Sequence, residues 1–164
     1  MFTNRMPLVA VCLLLLSMLL TACATSRVME QHPAYASGGD EFAEVVFFRP
    51  MPQRTRGIAD NDVTVEIDKQ PVMELSAGEY VVVKIKPMDV KVTLRNMTYI
   101  TYKVMPEEVS RARKYVFEAN KRYYIEAQLK VEEYRGLYFV PKETEESEAL
   151  DIISRLKPVN QPLS

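Results

Sequence analysis

The chain of 164 residues contains one histidine, two cysteines, five glycines and no tryptophan. So small a stock of soft ligands and glycine excludes Cys/His metal clusters and glycine-rich phosphate loops, and His32 alone cannot furnish a multi-histidine catalytic centre. An excess of either charge is also missing. Twenty-one Lys and Arg stand against twenty-two Asp and Glu, for a formal net charge of −1, so there is no basic surplus with which to hold a nucleic-acid backbone. Neither a cofactor nor a nucleic-acid partner is expected.

One long hydrophobic run is present, at the N terminus. Arg5 supplies a positive start, and Leu8 to Leu20 form an apolar stretch too short to span a bilayer comfortably, which reads as a signal peptide over residues 1–22. Leu20-Thr21-Ala22-Cys23 follows the bacterial lipobox pattern, in which the thiol takes a diacylglycerol before cleavage. Cys23 is therefore expected as the lipidated first residue of the mature protein, with Leu20, Thr21 and Ala22 as the recognition residues. Cys12 leaves with the signal and Cys23 is consumed by lipid, so no thiol remains for a disulfide, a metal or a nucleophile. Two or three acyl chains hold a protein on its membrane. Ala24, rather than Asp, follows the cysteine, which favours the outer membrane, facing the periplasm, over inner-membrane retention.

Residues 23–40 show neither a period of two nor one of 3.6 and end in Gly38-Gly39, so they read as a lipidated tether with a reach of roughly 25 Å. His32 falls in this segment and reads as a polar linker residue.

From Glu41 the hydrophobic period becomes two, which predicts a mainly β domain over residues 41–158 and a short tail over 159–164. Strands are expected at Ala43–Arg49, Val63–Asp68, Val72–Leu75, Tyr80–Lys86, Val90–Arg95, Thr98–Val104, Tyr115–Glu118, Arg122–Val131 and Leu137–Val140, mostly as consecutive antiparallel hairpins. Turns are expected at Asp68–Pro71, Ser76–Gly78, Asn96 and Ala119–Lys121. A charged connection is expected over Pro106–Arg113, and the last strand should end at Pro141. One C-terminal helix follows, with Thr144 as its cap, Glu145, Glu146 and Glu148 in its first turn, an apolar stripe of Ala149, Ile152, Ile153 and Leu156, and Arg155 and Lys157 near its end. The fold expected is an antiparallel β-sandwich with one C-terminal α-helix.

The succession Val46-Phe47-Phe48-Arg49-Pro50, Val65 to Val72, Leu75 to Tyr80 and Phe117 to Ile125 resembles a family of small bacterial lipoproteins known only as a domain of unknown function. The resemblance covers about residues 41–156. It departs from the family at Pro87-Met88, where Pro-Gly is usual, and at Asn120, where Gly is usual. It implies an immunoglobulin-like or carboxypeptidase-regulatory-like sandwich and no catalytic residue.

Catalytic constellations are hard to assemble from what remains. The acid pairs Glu107-Glu108, Glu132-Glu133 and Glu145-Glu146 are sequence neighbours whose side chains diverge, and no serine lies in a Gly-x-Ser-x-Gly setting. The candidate binding surface is basic and aromatic: Arg111, Arg113, Lys114, Lys121 and Arg122 with Tyr123 and Tyr124, and a second basic loop with Arg54 and Arg56. Six tyrosines, Tyr99, Tyr102, Tyr115, Tyr123, Tyr124 and Tyr138, fall on expected strands and form either a ligand platform or ordinary sheet surface. The expected function is that of a non-catalytic binding or assembly module on the membrane, engaging lipid through acylated Cys23 and an envelope protein or cell-wall ligand through the domain. The alternatives are a pilotin-like scaffold escorting an outer-membrane component, and a cell-wall or lipid enzyme with an unusual site.

Overall fold

The computed structural model describes residues 27–29, 31–52, 61–99, 105–132 and 136–159. Among the described residues nine strands and one helix follow in the order β1 (Ala43–Arg49), β2 (Val63–Ile67), β3 (Gln70–Leu75), β4 (Glu79–Ile85), β5 (Met88–Thr98), β6 (Glu107–Phe117), β7 (Arg122–Glu132), β8 (Gly136–Glu143), α1 (Glu146–Ile153) and β9 (Lys157–Pro158). They make two sheets, β8-β7-β1-β4-β9 and β3-β2-β5-β6. The expected β-sandwich with a C-terminal helix is what the chain forms. Most pairings are antiparallel, while β1 with β7 and β4 with β9 are parallel.

Strand β1 lies at the centre of its sheet and is covered on both faces. Ala43, Val45 and Phe47 enter the core between the sheets, and Val46 and Phe48 enter a second cluster under the helix. Burial on both faces explains an unbroken Val45-Val46-Phe47-Phe48 run where a half-exposed strand would alternate. Parity then carries Arg49 inward, 1% exposed. Its Nη1 donates to the carbonyls of Asn61 at 2.7 Å and Leu75 at 2.9 Å, and its guanidinium lies 4.6 Å from the centre of the Phe139 ring. Those partners offset the cost of burying the charge.

Several turns form where the residues suit them. Gly78 takes φ +80° between β3 and β4, Asn120 takes φ 60° between β6 and β7, and Asp68 and Lys69 take φ 50° and 72° in the two-residue β2–β3 hairpin.

Other expectations are corrected. Asn96 is not a turn: β5 runs through it, and its buried amide donates to the carbonyl of Leu137 at 3.1 Å, so a partner in β8 replaces the water a turn would have supplied. The connection expected over Pro106–Arg113 is instead, from Glu107, the first part of β6, paired with β5 along its whole length. An edge strand needs one ladder partner and tolerates charge on both faces, so its composition imitates a loop. Pro141 lies inside β8, opposite Ala127; β8 is an edge strand, where a missing N–H does not break the sheet. Strands β4 and β5 are not a hairpin, because the chain crosses to the other sheet between them.

The helix starts one residue later than a Thr144 cap requires. Glu145 occupies the cap position without a side-chain hydrogen bond, and the Thr144 N–H donates to Tyr124. No basic residue lies in the last turn; Lys157 pairs beside Glu79 in β9. The stripe does pack as a face: Ala149 is fully buried against Val46, Phe48 and Tyr124, with Ile152, Ile153 and Leu156 around it.

The tether is also corrected over residues 27–29 and 31–36. Val28 is fully buried and bridges Met73, and Met29 donates to the Val72 carbonyl. Tyr35 bridges Ile85, and Ala36 donates to the Lys84 carbonyl. The described part of the segment thus runs from the free edge of β3 to the end of β4 that β9 leaves unpaired, strapping the two sheets together. Isolated bridges leave no periodic pattern, which is why the segment reads as coil.

Candidate functional site

Strand directions bring one end of the sandwich together. The last residues of β1, β3, β5 and β7 and the first of β2, β4, β6 and β8 meet there, because Arg49 pairs with Glu79, Val63 with Leu75, Thr98 with Glu107 and Glu132 with Gly136. The N-terminal strap enters at this end. Arg27 Nη1 lies 2.8 and 3.0 Å from the two carboxylate oxygens of Glu79, and its Nη2 lies 2.8 Å from Asp62 Oδ2 and also bonds the Ser76 hydroxyl. The Ser76 N–H closes the ring on Glu79 at 2.8 Å.

The charges answer one another. Hydrogen bonding to Asp62, against the cost of burial, holds the Arg27 guanidinium pKa above its ordinary value, helped by the charges of Asp62 and Glu79. Burial alone would push the Asp62 carboxyl up, but hydrogen bonds from Ser76 and Arg27 and the charges of Arg27 and Arg49 hold it below the usual carboxylate range. Arg27, Asp62, Ser76 and Glu79 were not distinguished by sequence, since each is an ordinary polar residue in a turn or linker. The one legible hint was Arg49, an arginine at the inward parity of an apolar strand.

The basic candidates do not form a single patch. Arg111 and Arg113 lie on the inward parity of β6 and Lys114 on the outward one. Arg111 stacks 4.5 Å from the centre of the Tyr138 ring. Lys121 is 2.8 Å from Glu118, and Arg122 is 2.5 Å from Glu44. Tyr123 enters the core edge, tilted on Phe117 at 5.0 Å, and its hydroxyl accepts the Glu118 N–H. Tyr124 faces the opposite way and donates to Glu146 at 3.0 Å. Arg122, Tyr123 and Tyr124 do come together, lining a shallow cleft of about 510 Å³ with Lys142, Glu145, Glu146 and Glu148, where acids outnumber bases. The described tyrosines do not gather on one face: Tyr115 and Tyr123 both pack on Phe117, the Tyr115 hydroxyl bonding the Pro141 carbonyl with its pKa pushed up to about 12 by burial, while Tyr124 faces the helix and Tyr99 is half exposed. Leu20, Thr21, Ala22, Cys23, Arg54, Arg56 and Tyr102 lie outside the described residues.

No helix among the described residues is long and apolar enough to cross a membrane. Comparison with protein-family models, curated proteins and solved structures found no match for this chain.

Proposed function

We propose that this is a lipid-anchored protein of the bacterial envelope whose sandwich acts as a non-catalytic binding or assembly module, held on the periplasmic face of the outer membrane. The observation that carries the reading is Leu20-Thr21-Ala22-Cys23 at the close of an apolar run that begins after Arg5, four residues ahead of Arg27, where the strap joins the sandwich. The resemblance to small bacterial lipoproteins belongs to the same proposal. The ionisable groups that meet support a structural rather than a catalytic use, because they meet as compensated ion pairs: Arg27 with Asp62 and Glu79, Arg95 with Glu66 and Glu108, Arg122 with Glu44.

The test is expression in a bacterial host with labelled fatty acid. Wild type should carry label and fractionate with outer membrane, and Cys23→Ser should lose the label and release the domain to the soluble periplasm. Retention of label in the variant would sink the proposal. Cross-linked envelopes then identify the partner: a protein recovered in stoichiometric amount supports assembly, whereas saccharide supports ligand binding.

A further inference from the structure

Arg27, the first described residue of the strap, and most of the large apolar side chains exposed among the described residues lie at the same end of the molecule. Arg27 sits where β3 finishes and β4 begins, and the strap runs away from that end, Arg27 accepting from Glu74 and Met29 donating to Val72. Four peptide units separate Cys23 from Arg27, a span of at most about 14 Å. Strands of eleven residues such as β5 and β7 extend roughly 36 Å. An acyl chain on Cys23 therefore meets the bilayer with this end of the sandwich nearest to it, and the Asp68–Lys69 and Ala119–Lys121 turns a strand length away.

The near end carries the surface such a position calls for. Of the nine large hydrophobic side chains exposed among the described residues, five are there: Met51, Met97, Tyr99, Met105 and Val131. Met51 follows β1 and lies against Gly78, Met97 and Tyr99 close β5, Met105 precedes β6, and Val131 is next to last in β7. Unbranched thioethers adapt to an irregular apolar boundary, and a tyrosine keeps its hydroxyl in the wet layer. Four acids at this end are engaged by the protein itself: Asp62 and Glu79 by Arg27, Glu108 by Arg95, Glu132 by the Tyr138 hydroxyl.

We infer that the domain is seated end-on against the bilayer, with Met51, Met97, Tyr99, Met105 and Val131 at its headgroup boundary. The inference rests on the lipoprotein reading of Cys23.

The acylated mature protein contains no other cysteine, so one introduced thiol reports its own position. Met51→Cys, Met105→Cys and, near the far end on exposed β6 surface, Val116→Cys are each labelled with an environment-sensitive fluorophore and reconstituted in phosphatidylcholine vesicles containing a headgroup-borne quencher. Quenching should be several-fold stronger at 51 and 105 than at 116. The mass of the Cys23 peptide, read from the same samples, separates the two ideas. Acylated Cys23 with equal quenching at all three positions overturns the seating and leaves the anchor intact. Cys23 without acyl chains overturns both. Quenching absent at 51 and 105 together with concentration-dependent self-association overturns the seating and assigns that end to a second copy.

Discussion

Arg27 grips both carboxylate oxygens of Glu79, within 3.0 Å, although 52 residues separate them in sequence. The pair ties the entering chain to the start of β4, and Val28, the next residue, has no exposed surface. A segment without hydrophobic period thus closes one side of the sandwich. The other side is closed by side chains: Asn96 donates to the Leu137 carbonyl, the Leu137 N–H donates to the Thr98 hydroxyl, and Tyr115 donates to Pro141.

A soluble Cys23→Ser mature chain and a version beginning at Asp40 should therefore differ in stability. Losing Val28 and Ala34 from the core, with the bridges to Met73 and Ile85, should cost at least about 3 kcal/mol. Arg27→Ala alone should cost about 1 kcal/mol, because its partners keep part of their solvation. Urea midpoints measure both, and coincident midpoints for the long and short chains would show the strap to be dispensable.

His32 makes stability depend on pH. Burial pushes its imidazole pKa down, partly opposed by the charge of Asp68, and its Nδ1 accepts the Ala34 N–H at 3.1 Å. The unfolded chain takes up a proton near pH 6.5 while the folded one stays neutral, so stability is full above that pH and is lost as pH falls toward the folded value. His32→Asn keeps an acceptor for Ala34 without titrating. Unfolding free energies at about pH 7.5 and 5.5 should differ less in the variant than in the parent; Asp62 does not interfere, since its contribution is lost only below about pH 4. Equal pH dependence in the two proteins would refute the assignment.

The helix buries one small residue completely. Ala149 has no exposed surface and rests on Val46, Phe48 and Tyr124, whereas Leu150 beside it is 48% exposed. Ala149→Asp should cost about 3 kcal/mol, and Leu150→Asp less than about 0.5 kcal/mol. Thermal unfolding of the two variants compares them directly, and similar losses would mean that the helix docks by another face.

The β2–β3 hairpin holds avoidable strain. Lys69 has φ 72°, the left-handed region in which a side chain crowds its own carbonyl. Lys69→Gly completes an Asp-Gly turn and should stabilise the domain by up to about 1 kcal/mol. A lower urea midpoint in the variant would show that the lysine side chain contributes more than its backbone strain costs.

Strands were legible where one face is apolar. Val63, Val65 and Ile67 alternate with polar residues and enter the core, and the β4 and β7 runs are found within a residue or two of their expected bounds. The turn at Asn120 was legible because few residues other than glycine accept its φ. The helical stripe was legible too, since Ala149, Ile152, Ile153 and Leu156 repeat at helical spacing whatever they pack against.

Where partners come from distant sequence, composition misleads. Strand β6 looks like a connection because an edge strand pairs on one side and leaves Glu108, Arg113 and Lys114 in water. Asn96 looks like a turn because its burial depends on a carbonyl 41 residues away. The candidate basic patch was read from proximity in sequence, and alternation along the strands separates it: Tyr123 and Tyr124 face opposite sides of one sheet, and Lys121 and Arg122 each meet an acid. The lipobox and the two-residue period are written in consecutive residues, so the sequence by itself determined the expectation of an anchor and the β class of the domain. That the sandwich begins as early as Arg27 was decided by tertiary structure alone, because a strap held by two bridges and one arginine clamp acquires its order only when both sheets are already in place.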